Sequence, residues 1–576
     1  MKRFHFGAFQ WVVIVALFFH TFSSRIFSQW STDPAVNSAI ITGVNQQSVC
    51  RIASDGHGGA IVTWWDYEFS TSDYDIYAQR IDSMGNLCWD PAGVSVCTNP
   101  AHQQNPEMAS DGEGGAIITW FDQRNGKNEI FAQKINAEGI VQWTADGVSV
   151  GTVENHYQHS SPAIVNDGYG GAIIAWEDWR GDLYNAERAM YAQHFNANGE
   201  ILWGTGGIPL SGKPGERTRI TNDGMGGAIV TWHRYIDTTD IKHFDVYAQQ
   251  VSSGGSTGWG QDGMLVCTYS GDQMRAELTG DGKGGAIIVW EDYRDGHTYS
   301  NLCAQRVSHG GLMRWNEDGI VLAPIALGQR WQKITGDGKS GAIVTWQYSN
   351  NIIYAQRIDS SGVCRWPSDG AAIGAAGDSR YPDIVSDGNN GAIITWYDFR
   401  GSGKGDIFAQ RINTEGEILW TVNGASICRN QAGQASPVIT TDGNAGAIIA
   451  WDDVRNNEIS SADIYAQKIN RNGTLGNETN PVSTNSIQTF KTSLDQNFPN
   501  PFSESTQINF TTGSYGNTSV KIYDIYGREV LTLLDREMVP GTYTLNLDAG
   551  PLEEGIYFCR LQNGSSSITR SMVVFK

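Results

Sequence analysis

The sequence predicts an all-β protein in which one strand-rich unit is written eight times, and three observations predict it. The first is composition. Of 576 residues, 68 are Gly and 20 are Trp, aromatics reach 11% and charged residues only 18%. That supply of apolar surface excludes a disordered chain, and no glycine recurs at every third residue as collagen requires. The second is a recurring segment, Asp111-Gly-Glu-Gly-Gly-Ala-Ile-Ile-Thr-Trp120. Its Asp stands at 55, 111, 167, 223, 281, 337, 387 and 442, and its Trp follows nine residues later in all eight copies. The third is a second Trp, at 89, 143, 203, 259, 315, 366 and 420, each 12 residues after a strand marker such as Tyr77 or Phe131. A fixed period of this kind marks a repeat architecture.

Each unit reads as four strands. Strand A is short, as in Pro162-Ala-Ile-Val-Asn166, and an Asp-Gly turn follows, since both residues tolerate positive φ. Strand B is Gly-Ala-Ile-Ile-Thr-Trp, an apolar run suited to a strand covered on both faces. Strand C carries Tyr-Ala-Gln, and strand D the second Trp. The strand-C Gln recurs at 79, 133, 193, 249, 305, 356, 410 and 467, a buried amide that needs partners between strands. Four-stranded units repeated many times predict a β-propeller. The eighth unit has Asn477 where its second Trp belongs, and Gln29-Trp30-Ser-Thr-Asp33 resembles Gln142-Trp143-Thr-Ala-Asp146. The expectation is therefore an eight-bladed β-propeller at 29–471, with the N-terminal strand closing the last blade and hiding two sheet edges. An open solenoid is the alternative.

Loop lengths place the variable surface. The Trp-to-strand-C spacing runs 13, 11, 15, 15, 13, 8, 12 and 14, while the A–B and C–D spacings are constant. B–C and D–A loops share one face of an up-and-down blade, so recognition is expected there. Five B–C loops begin Trp-x-Asp-x-Arg: Asp122/Arg124, Asp178/Arg180, Asp292/Arg294, Asp398/Arg400 and Asp453/Arg455. Residues two apart on a strand share a side, so these pairs either brace the turn or ring the pore mouth to hold a polar ligand. Trp179, Tyr184, Tyr293 and Tyr299 could stack on sugar rings or simply cover the blades. The pairs and Trp179 are the ligand-binding candidates.

No G-x-S-x-G, H-E-x-x-H or P-loop is present. His156 and His159 are a lone pair without further metal spacing. The carboxylates repeat with the unit and single out no acid/base couple, so no catalytic residue and no metal site is assigned and a non-enzyme is expected. The Asp-Gly-x-Gly-Gly turn lacks the alternating Asp/Asn ligands of a calcium loop; no cofactor is expected, with calcium at these turns the alternative. The turn also fails the sialidase-type Asp box, which sets Trp five residues after its Asp. A net charge of −21 argues against nucleic acid. The eight cysteines lack CxxC spacing and read mostly as small buried hydrophobes.

The start, Met1-Lys2-Arg3-Phe4-His5 and an apolar run from Phe6 to Phe22, reads as a secretory signal at 1–28. No other segment is apolar and long enough to span a bilayer as a helix. Residues 472–493 read as a linker, and 494–576 alternate as a small β-sandwich. This last module resembles the type A C-terminal sorting domain of the type IX secretion system. The matching residues are Asn497-Phe-Pro-Asn-Pro-Phe502, Ile508, Phe510, Val520-Lys-Ile-Tyr-Asp524, Gly527-Arg528, Gly541, Gly555-Ile-Tyr557, Arg560-Leu561 and Lys576. Phe498 stands where that family often has Tyr. The resemblance implies a sorting signal carried by Asn497, Pro499, Asn500, Pro501, Phe502, Asp524, Gly527, Gly555 and Tyr557, with the secretion machinery as partner. It also implies a Gram-negative source and a route through the periplasm to the outer-membrane surface or the medium. The functional expectation is a secreted or surface-displayed, monomeric propeller that binds an extracellular polymer or protein, or serves as a scaffold. A polysaccharide-active hydrolase or lyase on the same scaffold is the alternative.

Overall fold

The computed structural model describes residues 30–69, 73–151, 156–180, 187–237, 242–294, 299–325, 328–374, 378–400, 403–477, 492–512, 516–538, 541–564 and 566–576. The expected signal at 1–28, Tyr184 and most of the expected linker lie outside these residues. Among the described residues every element is a strand.

Between Ser38 and Ile469 the strands form eight four-stranded antiparallel sheets. In the first, Gln46–Ser54, Ala60–Glu68, Asp73–Ile81 and Val94–Cys97 lie side by side in chain order as strands A to D. Six more sheets repeat this order. The last differs: Gln434–Thr441, Ala447–Asp453 and Asp463–Ile469 take their fourth strand from Ser38–Ile41, with Ser38 opposite Ala466 and Ala39 opposite Tyr465. Each strand A touches strand A of the next sheet, and that of the eighth touches that of the first. The arrangement is β-propeller-like, with the A strands innermost.

Local chemistry explains the repeat. Asp55 Oδ1 accepts the N–H groups of His57 and Gly59, both at 2.8 Å, which folds the A–B turn. Its second oxygen is held by Arg80 of strand C. Lys134, His194, Gln250, Arg306, Arg357, Arg411 and Lys468 do the same for the other seven. The glycine before each strand-B Ala is dictated by close approach, because a Cβ there would lie 2.1–2.5 Å from a strand-C carbonyl oxygen. The repeated Gln is fully used: Gln133 donates to Thr144 O at 2.8 Å and accepts from the N–H groups of Lys134 and Trp143. In the eighth unit Gln467 donates to Ser31 O at 2.7 Å instead.

The second Trp corrects the strand-D expectation. Strand D follows this Trp, as Val94–Cys97 follows Trp89, because the indole leaves its own sheet to bridge to the next. Trp89 Nε1 donates to Ala137 O at 3.0 Å, Trp143 to Ala197 O at 3.1 Å and Trp420 to Arg471 O at 3.0 Å. Trp30 does the same to Ser83 O of the first sheet at 3.2 Å. The core accordingly lies between sheets. Ile61, Ile76 and Ala78 of the first pack with Ala116, Ile118 and Trp120 of the second. Trp30, Ile448, Ala450 and Ile464 pack with Cys50, Ala60, Val62 and Trp64. All eight cysteines are free, and six of them are buried.

The C-terminal residues form a three-stranded sheet, Ser493–Leu494, Ser505–Thr512 and Gly541–Asp548, and a four-stranded one from Gly516–Tyr523, Glu529–Met538, Gly555–Asn563 and Ser566–Val574. Phe502, Phe510, Ile522, Leu561 and Met572 belong to their shared core.

Candidate functional site

Strand A also departs from the short strand expected. It is longer, as in His156–Asn166, and carries a β-bulge in every sheet. At the bulge stands a non-glycine residue with φ between 51° and 61°: Val49, Asn105, Ser161, Arg217, Arg275, Trp331, Tyr381 or Ser436. Each lies six residues before the repeated Asp, toward the D–A loop end of its strand. A bulge re-aims side chains, and positive φ at a β-branched residue such as Val49 is a true outlier. Strain of this kind gathers at ligand sites.

The A strands surround a cavity of about 720 Å³. Six of the bulge residues line it, the exceptions being Asn105 and Ser161. The residues two further on line it from all eight sheets: Arg51, Glu107, Ala163, Arg219, Glu277, Lys333, Asp383 and Val438. Their charges alternate. Arg51 pairs with Glu107 at 2.8 Å, and Glu277 takes both Arg219 at 3.0 Å and Lys333 at 3.8 Å. Burial alone would push Glu277 up, but Arg219 and Lys333 hold it below the usual carboxylate range. Asp383, by contrast, is raised by burial, against the pull of Lys333.

Above this ring the repeat breaks. Trp331 and Tyr381 are 45% and 44% exposed, with ring centroids 4.9 Å apart and planes at 69°. Tyr397 stacks behind Tyr381 at 6.0 Å. Arg275 and Arg217 stand on the two preceding sheets. Where the residue after the strand-B Trp is Glu, His, Gln or Asp, it supports the bulge of the neighbouring sheet. Glu177 Oε1 accepts from Arg217 N at 2.6 Å, His233 Nδ1 from Arg275 N at 3.2 Å, and Gln347 Oε1 from Tyr381 N at 3.2 Å. Glu291 bonds the Arg275 guanidinium at 2.8 Å; burial raises its pKa and Arg275 opposes that rise.

The five Asp/Arg pairs lie elsewhere: among the described residues none of them lines the cavity. Asp122 is buried, accepts from Trp120 Nε1 at 3.0 Å, and is gripped by Arg124 Nε at 2.8 Å and Nη2 at 2.5 Å. Arg124 also donates to Asp146 O at 2.7 Å, ahead of strand D, and lies 3.8 Å over the Phe131 ring. Arg400 is held in the same way. Its Nε and Nη2 donate to the buried Asp398 carboxylate at 2.8 and 2.6 Å, and its Nη1 to Asn423 O at 2.8 Å. The Arg400 guanidinium also lies 4.1 Å over the Phe408 ring, so three of its donors and one flat face are engaged within its own unit. Arg455 grips Asp453 and lies 3.8 Å over Tyr465. Arg294 grips Asp292, and because the fifth unit has Cys303 for the aromatic, it stacks on Tyr269 at 4.7 Å instead. Asp178 accepts from Trp176 Nε1 at 2.9 Å. Trp179 stands opposite Arg188 in the strand B–C register, away from the cavity lining, and the Arg180 side chain lies outside the described residues. Repeat spacing does not single out the bulge residues; Trp331, one of the few Trp outside the repeat, is the signal that points to them.

In the C-terminal sheets, Asn497 is buried and donates to Pro499 O at 3.1 Å and Thr506 Oγ1 at 3.0 Å. Asn500 Oδ1 accepts from Val573 N at 2.8 Å, and Phe502 N donates to Val573 O at 3.0 Å, which pins the loop carrying Pro499 and Pro501 to the last strand. Phe498 projects from it, 81% exposed. Asp524 Oδ1 caps its turn through the N–H groups of Tyr526 and Arg528, with Gly527 at φ 75°. Tyr557 bonds back to Glu553, beside Gly555. Residues 496–575 match the family described as the secretion system C-terminal sorting domain. This module is a type IX secretion sorting domain. The protein that carries the sorting domain is exported, for secretion or attachment at the cell surface.

No curated protein matches the chain. Among solved structures, it is similar to an acylaminoacyl peptidase of Pyrococcus horikoshii, with 10% identity and TM-score 0.39, over 71% of this chain and 57% of that one. The chain thus spans little more than half of that peptidase. The β-propeller domain of the Trilobed protease of Pyrococcus furiosus matches with 10% identity and TM-score 0.36, over 65% of this chain and 97% of that one. An α-L-arabinanase of Penicillium chrysogenum matches with 14% identity and TM-score 0.31, over 57% and 98%. Among the described residues, no helix is long and apolar enough to cross a membrane.

Proposed function

We propose that the chain is an exported binding protein: an eight-bladed propeller at 29–471, closed by its N-terminal strand, joined through 472–493 to the sorting domain at 494–576. Its ligand is an extracellular polymer or protein that enters the central cavity from the face carrying the B–C and D–A loops. The observation that carries this reading is the place where the repeat breaks. Eight equivalent strained positions bear Val, Asn, Ser, Arg, Arg, Trp, Tyr and Ser, and six of them border one cavity. A rigid scaffold with variable residues converging on a cavity is the usual form of a binding site. The Asp/Arg pairs, Arg124 and Arg400 among them, serve as braces beneath the same face, since their carboxylates already meet Trp and Arg. The experiment is a pull-down of the purified chain against a panel of polysaccharides and outer-surface fractions, with Trp331→Ala, Tyr381→Ala and Arg124→Ala compared. Loss of a bound partner in the first two and retention in the third supports the reading; equal retention in all three rejects it. Release of shortened fragments from a bound polysaccharide would instead establish a hydrolase or lyase.

A further inference from the structure

The eight bulge positions, six of which line the cavity, form two unlike arcs. On consecutive sheets four to seven stand Arg217, Arg275, Trp331 and Tyr381; on sheets eight, one, two and three stand Ser436, Val49, Asn105 and Ser161. The first arc is therefore aromatic and basic, and the second is small and uncharged. Within the first arc, the charges open to solvent are positive. Arg217 is exposed, and its guanidinium has no ion pair among the described residues. Arg275 and Glu291 both border the cavity, but the Arg275 side chain is 40% exposed and that of Glu291 only 1%, so the cation is the member of the pair open to solvent. Of the other carboxylates bordering the cavity on these sheets, Glu277 is already taken by Arg219 and Lys333, and Asp383 stands two residues further along its strand than Tyr381, where burial raises it toward the neutral form against the pull of Lys333. This cationic arc belongs to a chain of net charge −21, so it is a local feature set against the general field.

We infer that the ligand of this mouth is a carboxylated oligosaccharide, with its ring faces on Trp331 and Tyr381 and its carboxylates on Arg217 and Arg275. The inference rests on the reading of the channel mouth as the binding site. Each requirement has a physical reason. A sugar ring has an apolar face of C–H groups, which suits the negative face of an aromatic ring. Two aromatic side chains set at an angle on adjoining sheets can take successive rings of one chain. The guanidinium fork matches a carboxylate with two parallel hydrogen bonds, a match that lysine does not offer. The small residues of the opposite arc leave the other half of the mouth open for the chain to pass. An acidic peptide would use the arginines but has no repeated flat face for Trp331 and Tyr381.

The test is calorimetric titration of the purified chain with four probes: hexagalacturonate, hexamannuronate, the fully methyl-esterified hexagalacturonate and hexaglutamate. A uronate hexamer is expected to bind, and the esterified form to bind at least about tenfold more weakly, the usual worth of a charge-assisted contact. Trp331→Ala and Arg217→Ala are each expected to weaken the uronate by about tenfold, with Arg217→Lys intermediate. Only the arginine variants should flatten the salt dependence. If the esterified hexamer binds equally well and Trp331→Ala still abolishes binding, the carboxylate is overturned while the site stands. If hexaglutamate binds as well as the uronates and Trp331→Ala has no effect, the sugar is overturned. Uronate binding untouched by either alanine variant overturns the site and the inference together. If none of the probes binds, the inference fails, and the site reading remains to be judged by the polymer panel.

Discussion

Replacing Trp30 tests whether the N-terminal segment is structural cement or a loose tail. Trp30 is 2% exposed and packs among Ile448, Ala450 and Ile464 of the last sheet and Cys50, Ala60 and Val62 of the first. Its indole donates to Ser83 O at 3.2 Å, as Trp315 donates to Ser360 O at 3.3 Å in mid-chain. Deleting a buried Trp side chain costs about 3–5 kcal/mol from lost transfer energy and the cavity left behind. Trp30→Phe keeps most of the apolar area and loses one hydrogen bond, for about 1 kcal/mol. If the N-terminal segment completes a ring, Trp30→Ala and Trp315→Ala should cost the same within about 1 kcal/mol. A total stability of about 5–15 kcal/mol makes either loss plain in urea unfolding followed by tryptophan fluorescence. An open array would let the N-terminal segment fray on its own. A loss under about 1 kcal/mol for Trp30→Ala, beside about 3–5 kcal/mol for Trp315→Ala, would refute the ring.

Four further outcomes are expected. Arg124→Ala leaves the buried Asp122 carboxylate without its cation and should cost about 3 kcal/mol of unfolding free energy, without changing any binding at the channel mouth. Burial pushes the Asp75 carboxyl up to about 7, with Asp73, Asp66, Glu68 and Asp146 adding to the rise. Its folded pKa thus lies above the unfolded value, so its neutral form favours the fold, and stability is lost as pH climbs from about 4 through 7. Asp75→Asn should remove that loss, on the order of 1 kcal/mol after solvent screening, seen as a higher urea midpoint at pH 8 than wild type and no gain at pH 4. Val49 sits at φ 55°, so Val49→Asn should relieve about 1 kcal/mol of backbone strain and raise the melting temperature. Deleting 494–576 should leave the protein in the periplasm, read by surface proteolysis of whole cells; normal display would contradict a sorting role.

The parts of the fold legible in the sequence are those held by short-range chemistry. The repeated Asp binds N–H groups two and four residues ahead, so its spacing to Gly and Trp cannot drift. The glycine before strand B faces a carbonyl that leaves no space for a Cβ. Asn477 in place of a Trp, with Trp30 far upstream, makes the pairing of the N-terminal strand with the last sheet readable from the chain itself. The Trp-x-Asp-x-Arg pairs are visible too, but their partners are not. Cys97, Asp146 and Phe131 around Arg124, and Asn423 and Phe408 around Arg400, come from other segments, and they turn a charged motif into a buried brace. The place of strand D is not legible, because a Trp pattern looks the same whether the indole stays in its sheet or crosses to the next.

The sequence by itself determined the number of repeated units, most of the strands within each and the sorting domain. Each of these rests on residues near one another in the chain, or on a motif matched in order. Only the tertiary structure decided where the units stop being alike in a way that matters. The bulge residues carry no glycine to announce their positive φ, and they come from eight strands spread from Val49 to Ser436. Their neighbourhood exists only because the A strands of all eight sheets surround one cavity. Convergence of side chains from distant segments is a property of packing, and no local spacing records it.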